Sequence, residues 1–374
     1  MGHPMQLSNT KPKIVRVRDY VLGELANGSL SDGDALPSVS ELAKKLEVGA
    51  HSVREAIGEL DRSGIVQRIQ GKGTFVSQQR GADADPGKKL SVYALVLPEK
   101  ILSGLYPSVI RGFGQEARAS RREPLMAETQ GDLGAQGDVM LRLLSRKVSG
   151  VAIVPAYEPM PDHQLEVLQE HNIPVVFCHR HTARLDAPLV TWSGEQVGRI
   201  AAETLADLGH TRIALLSSAL CDPVPDYVQG MRSELSSRGI AFSDQQVVVG
   251  KKTLHHSTEQ DWKELLSFVL DAPDRATAVF CADDFISEHL YLAAMDRRIR
   301  VPEDLTIVGF GPKWRDGAMR NRLAAVCIDE VELGCQTVRL LNEMQKGIRP
   351  INSNEVVTMP LGLFEGSSLG PPAP

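Results

Sequence analysis

Six short runs rich in aliphatic and β-branched residues dominate the chain between residues 92 and 310: VYALVLP (92–98), VAIVP (151–155), VVFC (175–178), IALLS (213–217), AVFCA (278–282) and TIVGF (306–310). They are separated by stretches long enough for helices. Strands that are apolar throughout, rather than alternating with polar residues, suit sheets covered on both faces. The strand–helix alternation then calls for βαβ units and parallel strands. About 280 residues of this texture exceed what one sheet of ordinary size needs, so two parallel sheets, and hence two lobes, are expected.

The first 78 residues read differently. Ile14, Val17, Val21, Leu22 and Leu25 fall on one helical stripe that Asn27 and Gly28 close. After a polar turn at Asp32–Asp34, Leu42, Ala43 and Leu46 mark a short second helix, capped by Ser38 or Ser40 and helped by Glu41 in its first turn. A tight turn at Val48-Gly49-Ala50 leads to a third helix with Val53, Ala56, Ile57 and Leu60 inward, ended by Ser63-Gly64. Two helices around a short turn make a helix-turn-helix. Ile65–Ile69, a Gln70–Gly73 turn and Thr74–Val76 follow as a small hairpin, or wing.

Charge is uneven. Residues 1–80 hold eleven Lys/Arg against nine Asp/Glu, while the remainder holds thirty against thirty-eight, within a chain of net charge −6. Only the head is suited to a polyanion, and its affinity should depend strongly on salt. A recognition helix needs donors for base edges in its first turns and basic residues beside them for phosphates. His51, Ser52 and Arg54 are the candidates, with Arg54 able to make a bidentate contact to guanine. Lys44 and Lys45 could sit over a phosphate. In the wing, Gly71 and Gly73 let the backbone approach DNA, while Lys72 and Arg68 supply charge. Each has a plainer reading: Arg54 paired with Glu47 or Glu59, the lysines on a solvated face, the wing an ordinary β-turn.

The head resembles the GntR family of winged-helix regulators over about residues 11–77. The likeness rests on Leu36-Pro37-Ser38, Leu42-Ala43, Val53-Arg54-Glu55-Ala56-Ile57 with Leu60, Ser63-Gly64-Ile65 and Gly71-Lys72-Gly73-Thr74-Phe75-Val76. One departure stands out: Gly49-Ala50 replaces the Ser-Arg that the family usually places before the recognition helix, removing a DNA-contacting arginine.

The body, residues 91–366, resembles the effector-binding region of the lactose/galactose repressor family, itself similar to periplasmic sugar-binding proteins. Val148-Ser149-Gly150-Val151, Pro174–Phe177, Leu208-Gly209-His210-Thr211-Arg212-Ile213-Ala214, Cys281-Ala282-Asp283-Asp284 and Val301–Phe310 carry that likeness. A GntR-type head on such a body is similar to arabinose-repressor-type regulators. The resemblance implies a winged helix-turn-helix followed by a two-lobed periplasmic-binding-protein-like α/β body. Residues 79–90 would be the linker and 367–374 a flexible tail.

Ligands of open α/β sheets bind beyond the carboxyl ends of the strands, which nominates Tyr157, His179, Arg180, Tyr227, Asp283 and Asp284 for an effector between the lobes. Most of the polar ring that sugar-binding members use is replaced: His179-Arg180 stands for Asp-Arg, Ser193-Gly194 for Asp-Asn, Tyr227 for an arginine, and Gly311-Pro312 for acids. Asp284 is the best-kept position, although a carboxylate there could equally cap the following helix. Losing such hydrogen-bond partners weakens the case for a free hexose or pentose.

No metal is expected, since His179, His181, His255 and His256 lack neighbouring ligands at metal spacing. No cofactor or catalytic residue is expected either, for no phosphate loop or nucleophile–base pattern is present. Five scattered cysteines without a CxxC pair, no apolar run near the ~20 residues of a membrane helix, and no secretory layout in MGHPMQLSNT point to the cytoplasm. The expectation is a homodimeric, effector-modulated repressor of double-stranded operator DNA. A regulator with a ligand-blind dimerising body, a solute-binding protein and an enzyme with a regulatory head stay open as alternatives.

Overall fold

The computed structural model describes residues 13–26, 28–62, 65–77, 91–98, 106–156, 163–182, 185–218, 223–251, 258–313, 318–319 and 321–373. Asn27, Ser63, Gly64, the expected linker 79–90, Tyr157, Cys221, His255 and His256 lie outside the described residues.

The head consists of α1 (Lys13–Ala26), α2 (Val39–Lys45) and α3 (Ala50–Arg62), then the antiparallel wing strands β1 (Val66–Ile69) and β2 (Gly73–Val76). The stripes read from the sequence are its core: Val17, Val21 and Leu22 of α1, Leu42 of α2, and Val53, Ala56 and Leu60 of α3 are buried. Ser38 is the cap of α2. Its hydroxyl accepts from the Glu41 N–H at 3.3 Å while the Glu41 carboxylate accepts from the Ser38 N–H at 2.8 Å, a reciprocal capping box. These bonds hold the Glu41 carboxyl below its usual range. The wing is tied down by the chain before α2: Leu36 N–H donates to Thr74 at 2.8 Å, and Val76 N–H to Asp34 at 2.7 Å.

The body runs β3 (Val92–Leu97), α4 (Tyr106–Ala119), β4 (Glu123–Glu128), α5 (Leu133–Ser145), β5 (Gly150–Ile153), α6 (His163–Glu170), β6 (Val175–Cys178) and β7 (Leu189–Thr191). It continues through α7 (Gly194–Asp207), β8 (Ile213–Ser217), α8 (Val224–Ser237), β9 (Val247–Val249), α9 (Glu259–Leu270), β10 (Ala278–Cys281) and α10 (Asp284–Asp296). It ends with β11 (Thr306–Pro312), β12 (Ala324–Ile328), α11 (Glu330–Gln345), β13 (Val356–Thr358) and β14 (Leu361–Phe364). Two six-stranded sheets result, in the orders β13-β7-β6-β5-β3-β4 and β14-β12-β11-β10-β8-β9. From β4 to β7 in the first and from β9 to β12 in the second the strands pair in parallel, and β14 closes the second antiparallel. The winged helix-turn-helix and the two parallel-rich sheets expected from the sequence are both present.

The chain divides into two compact units. The first takes residues up to 101, 113–190 and 334–356, and the second takes 102–112, 191–333 and 357–374. The head lies in the first unit, where α1 packs against α5 and α6. Residues 367–373, expected as a flexible tail, are held in the second unit. Buried Ser368 donates its hydroxyl to Ile307 O at 2.6 Å and accepts the Ala324 N–H at 2.8 Å. Gly370 O accepts from His210 Nε2 at 2.8 Å and from the Thr306 hydroxyl at 2.8 Å. Burial holds the His210 imidazole below its ordinary range, so it is the neutral ring that staples this segment.

Candidate nucleic-acid interface and strand-end residues

The α2–α3 turn places Glu47 at φ 51°, and α3 begins at Ala50, where the sequence sets it. Val53, Ala56 and Leu60 face inward, which turns His51, Arg54 and Glu55 outward and leaves Ser52 at the edge. Glu59, one of the two partners weighed for Arg54, instead meets Arg18 of α1 at 3.6 Å. His51 Nδ1 lies 3.6 Å from Glu55, one turn on. Lys44 is exposed at the end of α2. In the wing, Gly71 at φ 76° and Gly73 at φ 122° use backbone conformations open to glycine, and Lys72 between them is exposed.

Two residues nominated for DNA also bond within the head. Arg68 folds back on the recognition helix, donating from Nη2 to Arg54 O at 2.8 Å, so it braces the wing against α3. Lys45 donates to the Tyr20 hydroxyl at 3.0 Å, with its ammonium 4.5 Å from the Tyr20 ring centroid. The hydrogen bond to Tyr20 raises the lysine's pKa.

The strand ends of the body are described unit by unit. In the first, His179 sits at φ 72° directly after β6. Burial, and then the neighbouring Arg180 charge, push its imidazole down to about 3, so it is neutral. Arg180 is buried and donates from Nε to Pro155 O at 2.8 Å, which fastens the end of β6 to the end of β5. Tyr157 lies outside the described residues.

In the second unit, the capping role weighed for Asp284 belongs to Asp283, whose carboxylate accepts the Ile286 N–H at 2.9 Å. Asp284 is the first helical residue and is buried. Its carboxyl occupies the space that a side chain at Gly311 would need, since a Cβ there would lie 2.3 Å from Asp284 Cγ. The glycine read as a lost acid thus makes room for another acid. Sequence reasoning missed Glu330, fully buried after β12, whose Oε2 accepts the Lys313 N–H at 3.2 Å. Burial pushes Glu330 up to about 8 against the pull of its backbone hydrogen bonds, with the Asp284 and Asp329 charges adding to the rise. It also missed an aromatic group: Trp192 stacks on Phe310 at 5.2 Å, and Tyr227 meets Phe280 and Phe310, each at 5.7 Å. Of these the sequence nominates only Tyr227, because apolar residues at strand ends read as core.

A helix-turn-helix with a wing, carried by a body of two parallel-rich sheets, defines a DNA-binding transcription regulator. Residues 13–76 match the family described as bacterial regulatory proteins, gntR family, and residues 202–369 match the periplasmic binding protein-like domain. The chain is therefore a gntR-type helix-turn-helix head joined to a periplasmic-binding-protein-like body.

It is similar to the arabinose metabolism transcriptional repressor of Geobacillus stearothermophilus, with 26% identity over 346 residues, 90% of this chain and 92% of that protein. A repressor of the same description from Halalkalibacterium halodurans is 24% identical over 328 residues, 87% of each chain. Among solved structures, the CelR–cellobiose complex superposes with a TM-score of 0.65 at 19% identity, covering 89% of this chain and 100% of that one. A LacI family regulator from Mycobacterium smegmatis gives 0.62 at 23%, covering 75% and 100%. These likenesses show the fold. Among the described residues no helix is long and apolar enough to cross a membrane.

Proposed function

We propose that this chain is a dimeric repressor that acts on chromosomal DNA in the cytoplasm. It holds a pseudo-palindromic operator with two winged heads and responds to a small-molecule effector taken up by its body. The observation that carries the reading is the outward face of the head: His51, Arg54 and the wing-tip Lys72 are exposed on one recognition helix and its hairpin. The proposed contacts are Lys44, Lys45, His51, Ser52, Arg54, Arg68, Lys72 and Gly73, with Lys45 and Arg68 exposed while also bonded within the head. Arg54 reads bases, and the lysines hold phosphates.

The test is fluorescence anisotropy of the full chain on an operator fragment selected from genomic DNA, against random duplex. Arg54→Ala is expected to lose about 10- to 100-fold on the operator, the worth of one bidentate base contact. Its binding to random DNA should barely change. Lys72→Ala should weaken both and lower the salt slope by about one. Equal affinity of the unaltered protein for operator and random duplex at moderate salt would end the reading.

For the dimer, the supporting surface is on α9 and α10. Trp262 stacks on His289 at 5.1 Å, so the two helices run side by side. Further along them Phe268, Leu292 and Met295 are 73%, 51% and 57% exposed. Exposed apolar side chains on two neighbouring helices suit a second copy of the same chain. Phe268→Asp with Leu292→Asp should shift the protein to monomer in sedimentation velocity without lowering its melting temperature. An unchanged dimer would place the interface elsewhere.

For the effector, the relatives named for arabinose metabolism make a sugar or sugar derivative the first class to screen. The Trp192, Tyr227 and Phe310 group favours one with an apolar face.

A further inference from the structure

Helix α1 has two buried faces. One carries Val17, Val21, Leu22 and Leu25 into the head. The other lies on the first lobe, and the buried apolar side chains of the head and of that lobe join in one continuous cluster, with Ile14, Tyr20 and Leu133 packed against it. Arg18 sits at this joint and is only 8% exposed. Its guanidinium pairs with Asp138 of α5 on the lobe side and with Glu59 of the recognition helix, at 3.6 Å, on the head side. Next to it, Asp19 lies 3.7 Å from His163 Nε2 at the start of α6. The fit is close at Gly134, where a Cβ would lie 3.5 Å from Val15 Cγ2 and 3.6 Å from Arg18 Nη2.

The lobe side of the joint connects to the strand ends. Buried Gln136 of α5 accepts the Ala156 N–H at 3.1 Å and donates to Gln164 of α6 at 3.1 Å, and Gln164 donates to Leu133 O at 3.0 Å. Pro155, the residue before Ala156, is held by Arg180. Packed groups thus run from Arg180, through Ala156, Gln136 and Gln164, to α1, and from there by way of Arg18 to Glu59 on α3. Two-state elements that share such a chain of contacts can bias one another.

We propose that α1 is a rigid joint that seats the winged head on the first lobe, with Arg18 as the positioning residue that ties the recognition helix to α5. The docked head is the DNA-competent one. His51, Arg54 and Lys72 all stay exposed with α1 seated, and two heads held at a fixed spacing bind two half-sites more tightly than two loosely tethered ones. The seating stands independently of any effector. That the strand ends signal along this route rests on the effector reading above.

Two experiments on the full chain decide it. Val15→Cys with Gly134→Cys, mildly oxidised, should give an intrachain 15–134 link in most molecules by peptide mapping, and the linked protein should keep its operator affinity within about threefold. Little or no 15–134 link would overturn the seating, and a linked protein unable to bind the operator would overturn the docked head as the DNA-competent one. Asp138→Arg places a second cation beside Arg18. It should speed amide exchange in α1 and the first turn of α6 at least tenfold, leave the wing unchanged, and weaken operator binding about tenfold. Asp138→Glu should restore all three. Unchanged exchange in α1, or exchange raised throughout the head, would reject the positioning role. If no operator exists, the cross-link and the exchange still decide the seating, so failure of the two proposals can be told apart.

Discussion

Gly230→Ala is expected to destabilise the second unit by about 3 kcal/mol or more, the cost of forcing backbone apart in a packed interior. Helix propensity alone gives the opposite sign, since alanine in mid-helix gains roughly 1 kcal/mol over glycine. Geometry decides. A Cβ on Gly230 of α8 would lie 2.0 Å from Glu195 O and 2.9 Å from Arg199 N, both backbone atoms of α7. The reciprocal position repeats the fit, for a Cβ on Gly198 of α7 would lie 2.0 Å from Tyr227 O and 3.0 Å from Met231 N. Neither neighbour is a side-chain tip that can swing away. Gly23 of α1 supplies the contrast, because nothing lies within 4 Å of a Cβ there and its φ is not positive. Gly23→Ala should therefore stabilise by up to about 1 kcal/mol. Urea unfolding followed by tryptophan fluorescence reads the second unit, whose span holds Trp192, Trp262 and Trp314, all three tryptophans of the sequence. A Gly230→Ala protein as stable as its parent would mean that α7 and α8 do not pack backbone to backbone.

The consequence reaches the candidate site. The N-terminal turns of α7 and α8 carry Gly194, Asp226 and Tyr227, and a Cβ at Gly194 would meet Asp226 Cβ at 2.6 Å. Pushing the helices apart at Gly230 moves Tyr227 away from Phe310. Effector response should then fail along with stability, and Gly23→Ala should spare it.

The sequence was most informative where local chemistry decides structure. The serine cap of α2, left open between Ser38 and Ser40, the start of α3 near Ala50, and β6 and β8 to the residue are legible because propensity, capping and burial there agree. What escaped depends on partners distant in the chain. Nothing in the residues around Arg18 singles it out, yet it pairs with Asp138 of α5, 120 residues later. The composition of 367–373 reads as loose, but His210 and Thr306 hold it. Strands β4 and β9 escaped for another reason: their residues are half-exposed at sheet edges, and the continuous apolar signature of a central parallel strand is missing. At the candidate sites, the face of α3 was readable from period alone. The bonds of Arg68 to Arg54 O and of Lys45 to Tyr20 were not, since a long basic side chain can reach several acceptors.

Glu330→Gln should abolish most of the alkaline loss of stability in the second unit. The Glu330 carboxyl lies near 8 in the folded chain, against an ordinary value of 4.5. Between these two values the folded state holds a proton that the unfolded state has released, so stability falls as pH rises. The contribution is complete below about pH 4.5 and lost as pH passes 8. At ~1.4 kcal/mol per unit of pKa difference, the loss is on the order of 5 kcal/mol, with the largest share of it between about pH 5 and 8. The glutamine keeps an oxygen for the Lys313 N–H and carries no titrating proton. The two proteins should be about equally stable at about pH 5 and diverge by about pH 9, with the variant the more stable. Parallel curves across that range would reject the buried, raised carboxyl. Asp284→Asn is the second arm: removing that charge should lower the Glu330 value and move the fall in stability toward acid pH. At neutral pH the end of β12 then presents a carboxylic acid rather than a carboxylate, with Oε1 buried and without a hydrogen-bond partner among the described residues. A protonated acid can donate where an ionised one cannot. An effector that reaches this oxygen is therefore expected to offer an acceptor and to bind more weakly above about pH 8.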